Sequence, residues 1–287
     1  MKRLKPPDED RKKQSKVAKE LSEWGKALLY ALIFGTIIRL FVFETMMVPT
    51  GSMIPSIEPG DRLFVEKITY QFEEPDYGDV VVFWVPFKDL SAEEMLRPFD
   101  KFMDSFSPKE FRGHVKYVKR LVGKPGDVIE LEVAPEYAEV AGEILLFPVD
   151  EQPRYRLVVN GEVIEAFEDM RYSRVGIFAD PDFFFGLAYP ERAVSVYRNF
   201  FREYSKYIEY RSYYERELVP LGIEDLIVVD ASSKLVSLTI PEGFYFFMGD
   251  NTRNSFDSRF FGFVPEQNII GSPMLRIWPF SRFGPGL

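Results

Sequence analysis

Between Trp24 and Phe43 lie 20 residues that are charged only near their ends, at Lys26 and Arg39. A helix rises 1.5 Å per residue, so this run covers roughly 30 Å, the thickness of a bilayer's hydrocarbon core. Lys26 and Arg39 can each reach back to an interface along their own methylene stems, and Trp24 suits the headgroup level. A cleaved leader would need small residues after the apolar run, whereas Glu44-Thr45-Met46-Met47-Val48-Pro49 is bulky. A buried core helix would suit the short uncharged centre, Ala27 to Ile38, but not the basic flank. Lys2, Arg3, Lys5, Arg11, Lys12, Lys13, Lys16 and Lys19 precede the run, and the first basic residue after it is Arg62. The positive-inside rule then puts the N-terminus in the cytoplasm and everything from Glu44 onward on the outer face. We expect a basic cytoplasmic tail over residues 1–22, with little fixed structure, and a single transmembrane helix over residues 23–43 in the cytoplasmic membrane.

Directly beyond the span comes Val48-Pro49-Thr50-Gly51-Ser52-Met53-Ile54-Pro55. A glycine before the serine and a proline on either side bend and stiffen the backbone while leaving a hydroxyl and its amide free, a setting for an exposed nucleophile. On its own this is equally a surface turn. Composition limits the partners such a serine can have. The chain has no cysteine and a single histidine, His114, so thiol chemistry is excluded and a Ser-His-Asp triad would need that one imidazole. Neither a metal site nor a cofactor is suggested. A net charge of −9 argues against nucleic acid as a partner.

The rest of the chain reads as mainly β. Asp61 to Glu66, Val80 to Val85, Val115 to Val122, Val128 to Val133, Val236 to Ile240 and Phe244 to Phe247 have strand character, several bounded by Gly and Pro turns. Residues 87–113 read as an irregular helical insertion. Asn160-Gly161 predicts a type I′ hairpin joining Arg156–Val159 to Glu162–Ile164. Val194, Tyr197, Phe201, Tyr204, Ile208 and Tyr210 recur at helical intervals, which predicts an amphipathic helix within 191–218 whose tyrosines pack on the sheet.

Along the strand around Lys119, alternation puts Tyr117 with Lys119 on one face and Val118 with Arg120 on the other, with His114 opposite Lys119. A lysine among Tyr117, Val118, Leu121 and Val122 can be desolvated, which favours the neutral amine, and a neutral amine can take a proton from a serine. Phe41, Phe43 and Trp84 are candidates for a lipid-facing rim that keeps water from it.

Four segments taken together resemble bacterial type I signal peptidase, the Ser-Lys dyad family: Pro49 to Ser56, Gly78 to Phe83, Lys116 to Asp127, and Gly249 to Arg259 followed by Phe260 to Pro265. The resemblance implies Ser52 as nucleophile, Lys119 as general base, Thr50 with the Ser52 N–H as oxyanion hole, and Ser255 orienting the lysine. It makes Arg120, Asp250, Asp257 and Arg259 structural ion-pairing groups. Met46, Val48, Met53, Tyr117 and Val118 would line substrate pockets whose bulky walls admit only small side chains, as in A-x-A sites. The implied fold is an antiparallel β catalytic body in two parts, 44–133 and 236–287, with an α/β-containing insertion at 134–235. The implied partners are signal-peptide-bearing precursors and membrane lipid, with association with the export machinery left open. The chain departs from the family at Thr252-Arg253, where Arg-Asp is usual, and at Ser56, which replaces a threonine. Two other classes stay open: a self-cleaving Ser-Lys peptidase, and a membrane-anchored β scaffold without activity.

Overall fold

Val80-Val81-Val82-Phe83-Trp84 is an unbroken apolar run, and all five residues are buried. A strand buried on both faces belongs in the middle of a sheet with material packed on either side. In the computed structural model, which describes residues 7–104, 106–140, 150–181, 204–233 and 235–285, that is where it lies. The chain divides into two compact units, Met1–Glu44 and Thr45–Leu287.

The first unit is dominated by helix α1, Pro7–Phe41. Its segment Lys19–Phe41, which contains an 18-residue stretch of mean hydropathy 1.4, is long and apolar enough to cross a membrane. Two boundaries differ from the sequence reading. The basic tail is helical from Pro7 instead of lacking fixed structure, with proline as the first helical residue and Asp8, Glu9 and Asp10 in the first turn, where a helix N-terminus favours acids. At the other end the helix stops at Phe41, and Phe43 already opens strand β1, Phe43–Met47.

The remaining strands among the described residues are β2 (Arg62–Glu66), β3 (Val80–Trp84), β4 (Lys116–Gly123), β5 (Val128–Val133), β6 (Asp150–Val159), β7 (Tyr172–Arg174), β8 (Ile227–Val229), β9 (Val236–Thr239), β10 (Phe244–Met248), β11 (Val264–Pro265), β12 (Ile269–Trp278) and β13 (Gly284–Pro285). They form two sheets of antiparallel pairs. One has the order β1-β2-β12-β3-β4-β10-β11, with β13 on β12, and the other β7-β6-β5-β9-β8.

Alternation along β3 divides the packing. Val81 and Phe83 enter a large core shared by both sheets, with Leu121 and Val122 of β4, Ile129 and Leu131 of β5, Leu238 of β9 and Phe246 of β10. Val80 and Val82 face a smaller cluster with Val48, Met53, Ile57, Leu63, Val65 and Val118. This second cluster fixes the turn that follows β1 onto the back of the sheet.

Helices α2 (Leu90–Glu94) and α3 (Pro98–Asp104) fill the connection between β3 and β4. Trp84 is buried there, stacked on Phe111 at 5.5 Å with the Lys116 amine 4.5 Å from its ring, so it is a packing residue and not part of an exposed rim. Helix α4, Tyr204–Tyr213, continues as a π-helical turn to Leu218 and buries Tyr210, Tyr213 and Tyr214 in the large core. Val194, Tyr197 and Phe201 lie outside the described residues. The Asn160-Gly161 turn has both residues at positive φ, 53° and 82°. Beyond it only a single bridge, Val159 to Glu162, forms. Asn160 spends its side chain on Val128 N–H and Asp127 of the neighbouring strand, and the chain then leaves the edge to bury Phe167.

At Gly271, on β12, a Cβ would stand 1.7 Å from the carbonyl oxygen of Glu66 on β2. Gly271→Ala forces the two strands apart and is expected to destabilise the fold by about 3 kcal/mol, the upper end of the overpacking range, because backbone and not side chain must move. Thermal unfolding of the detergent-solubilised protein should show the midpoint lowered by roughly 10 °C; an unchanged midpoint would contradict this packing.

Candidate active site

Lys119 sits mid-strand, with β3 paired along one edge of β4 and β10 paired along the other from Arg120 onward. Its neighbour across β3 is Val81, and β10 lines the other edge through Leu121 to Phe247 and Arg120 to Met248. This pairing holds the backbone in place, and only 3% of the residue is exposed. The amine donates to Ser52 Oγ at 2.5 Å and lies 5.2 Å from the Tyr117 ring centre. Ser52 is itself buried, at 7% exposure.

Burial pushes the Lys119 amine down from the ordinary 10.5 to about 8; Asp257 and Asp250 pull it back up, and Arg259 opposes them. The two acids do not restore the ordinary lysine value because each is already engaged. Arg259, fully buried, donates Nε to Asp257 Oδ1 at 2.9 Å and Nη2 to Oδ2 at 2.7 Å, and Gly249 N–H adds a third bond at 3.0 Å. Burial opposes the Asp257 charge, but Arg259 and these hydrogen bonds outweigh it and hold the carboxyl below the usual range. The third arm of the guanidinium reaches the Ser173 carbonyl at 3.0 Å, which ties the site to β7 of the second sheet. Asp250 receives Arg120 through two bonds, at 2.8 and 2.6 Å, and the Ser56 hydroxyl at 2.5 Å.

The loop carrying Ser52 is held by its far-off partner segment. Asn251, which the sequence reading did not single out, donates Nδ2 to the Gly51 carbonyl at 2.9 Å and its backbone N–H to the Ser52 carbonyl at 3.0 Å. Gly249 passes so close that a Cβ there would lie 2.5 Å from the Ser52 carbonyl oxygen and 2.3 Å from Ser255 Oγ. Ser255 is buried beside this contact, and its hydroxyl has no well-formed hydrogen bond of its own, yet it helps keep Asp257 ionised. Thr50 is exposed two residues before Ser52.

Of the five residues assigned to substrate pockets, Val48, Met53 and Val118 are buried together in the smaller cluster with Met46 packed against it. Tyr117 stands at the edge of the large core and donates its hydroxyl to Asp89 at 2.5 Å. His114 is elsewhere: Nδ1 bonds the Val85 carbonyl at 2.6 Å, the ring packs on Phe111, and burial lowers its basicity. At the two departures from the family pattern, Thr252 donates to the Arg171 carbonyl at 3.0 Å and Arg253 is exposed, with no ion pair among the described residues.

A serine hydroxyl held against a buried amine is the equipment of a hydrolase that runs acyl transfer without imidazole. The comparison with known proteins agrees with that class. The family model for signal peptidase, peptidase S26, matches residues 21–278. The signal peptidase I of Leptolyngbya laminosa is 26% identical over 279 residues, covering 97% of this chain and 90% of its own length. That of Haemophilus influenzae is 28% identical over 277 residues, covering 92% and 71% respectively. A solved signal peptidase I from Enterococcus faecalis is 21% identical, spans 70% of this chain and 97% of its own, and has a TM-score of 0.27. The chain belongs to the signal peptidase family, peptidase S26, and is a hydrolase that removes signal peptides by serine endopeptidase chemistry.

The depressed amine has a consequence for stability. Lys119 binds its proton less tightly folded than unfolded, so between about 8 and 10.5 the unfolded chain holds more protons and stability rises with pH through this window; below about 8 both states are protonated and the penalty is constant. A depression of that size is worth on the order of 3 kcal/mol. Lys119→Met is therefore expected to be more stable than wild type at pH 7 by about that amount, with the gap closing above pH ~10. Urea unfolding of both proteins across this range checks it, and a gap that stays flat with pH would contradict it.

Proposed function

We propose that this protein is anchored in the cytoplasmic membrane by its apolar helix, with the catalytic body outside, and that it cleaves signal peptides from exported precursors by a Ser52-Lys119 dyad. The contact of the Lys119 amine with Ser52 Oγ, inside a site that makes the neutral amine accessible near physiological pH, carries the reading. In the first half-reaction, neutral Lys119 accepts the hydroxyl proton as Oγ bonds to the scissile carbonyl carbon. The tetrahedral oxyanion is met by the Ser52 N–H and the Thr50 hydroxyl. The C–N bond then breaks, and the ammonium returns its proton to the new N-terminus of the mature protein. In the second half-reaction water attacks the acyl-enzyme, again with Lys119 as base, and frees Ser52.

Ser255, whose buried hydroxyl makes no well-formed hydrogen bond in the resting site, turns to the amine and orients it during the reaction, while the ion pairs of Arg120 with Asp250 and of Asp257 with Arg259 keep the acids from capturing it. The bound precursor lies extended along the strand before Ser52 and along β4, using backbone hydrogen bonds for affinity. Met46, Val48, Met53, Tyr117 and Val118 wall the pockets, and their bulk favours small residues before the cut. The catalytic body comprises 44–133 and 236–287, with 134–235 as an inserted subdomain. Membrane lipid and the export machinery are the expected surroundings of such an enzyme.

Cleavage of a model precursor added in trans is expected to fall by at least about 10³-fold in Ser52→Ala and in Lys119→Arg, since guanidinium does not deprotonate. Below about 8 the wild-type amine is charged and cannot accept a proton, so kcat/KM should fall as pH drops through that value. His114→Ala should leave this acidic limb in place. A Lys119→Arg variant with most of its activity, or a limb lost with His114, would put the base elsewhere. The orientation is tested separately: protease added to right-side-out spheroplasts should digest the body, and protection would refute an external catalytic unit.

A further inference from the structure

Asn251 makes two contacts that a turn residue does not need, and both fall on the peptide groups flanking Ser52. We propose that Asn251 is a positioning residue that aims the Ser52 N–H at the developing oxyanion. The proposal rests on the reading of Ser52 as nucleophile.

A trans peptide is planar, so the carbonyl of Gly51 and the N–H of Ser52 point in opposite directions from one rigid unit. Fixing the direction of that carbonyl fixes the direction of the N–H. Because Gly51 lacks a Cβ, its backbone torsions are permissive and do not set the plane by themselves. Asn251 Nδ2 grips the Gly51 carbonyl at 2.9 Å; among the described residues the one other donor to it is the Ile54 N–H, longer at 3.3 Å. The backbone N–H of Asn251 holds the next peptide through the Ser52 carbonyl at 3.0 Å. Meanwhile the Ser52 N–H donates to no protein group among the described residues, which leaves it for the substrate.

The gripping residue is itself fixed on both sides. Its carbonyl accepts from Asn254 N–H at 2.9 Å, and the preceding Asp250 is locked by Arg120 and by Ser56 from the same loop as Ser52. The loop that bears the nucleophile is thus clamped at Gly51-Ser52 and again at Ser56 by two consecutive residues of a segment about 200 positions away.

The test is steady-state kinetics of Asn251→Ala and Asn251→Asp in the full-length protein. Both keep the backbone N–H; Asp keeps the shape but turns the donor into an acceptor that faces the Gly51 carbonyl. Removing an oxyanion donor outright costs about 10²–10³ in kcat, and here the donor is misaimed with the Ile54 bond still in place, so kcat should fall about 10- to 100-fold. KM should stay within about threefold, and in Asn251→Ala, which adds no charge near Lys119, the acidic limb should not move. A purely structural role would lower the unfolding temperature and leave kcat per folded enzyme intact. The proposal is overturned if Asn251→Asp keeps kcat within about twofold of wild type while Ser52→Ala is inactive, or if the acidic limb of the uncharged Asn251→Ala shifts along with kcat, which would mean Asn251 acts through the lysine. If Asn251→Ala does not fold, the near-isosteric Asn251→Asp decides alone. Activity retained by Ser52→Ala would instead sink the underlying reading, an outcome distinct from either.

Discussion

Taking a lysine amine out of water without giving it a counter-charge is the constraint on which this site depends. An isolated buried ammonium is costly enough that the group prefers to lose its proton. That preference survives only if nearby carboxylates are otherwise occupied. Asp257 has both oxygens on Arg259 and a third bond from Gly249, and Asp250 is bound by Arg120 and Ser56. The two arginines therefore do more than support the fold. They neutralise the acids that would otherwise hold Lys119 charged.

This arrangement also explains why three distant segments must meet. Strand β4 contributes Lys119 and Arg120 from opposite faces, so one strand delivers both the amine and a guanidinium that shields it. The 249–259 segment supplies both acids and the clamp on Ser52. The turn after β1 supplies Ser52, fixed to the sheet by Met53 and Ile57 in the smaller core. The second sheet touches the site through the bond from Arg259 to the Ser173 carbonyl, which gives β7 a direct hold on the charged network.

Strands with unbroken apolar or alternating character, β3, β4, β5 and β10, were legible in the sequence because burial on one or both faces writes itself into residue type. The longest strand of the first sheet, β12, was not. Gly271, Ser272 and Pro273 interrupt the apolar pattern of a strand, but irregularities in the pairing with β2 and β3 absorb them, and Gly271 is needed where the Glu66 carbonyl comes close. The Asn160-Gly161 turn was legible, but the hairpin expected from it shrinks to one bridge, since the residues after it are drawn away by Phe167. Ser52 and Lys119 stood out by their motifs. Asn251 did not, because its role lies in which backbone atoms it reaches across the fold, and a single sequence does not display that.

The central claim is that Lys119 is a base whose amine gives up its proton near pH 8, far below the ordinary lysine value. Its side chain can be followed directly by NMR in detergent-solubilised enzyme carrying isotope-labelled lysine, with Lys119→Met assigning the signal. The account requires a titration midpoint near 8. A midpoint at the ordinary lysine value of about 10.4 would mean that the amine stays charged at working pH and that the proton on Ser52 goes elsewhere.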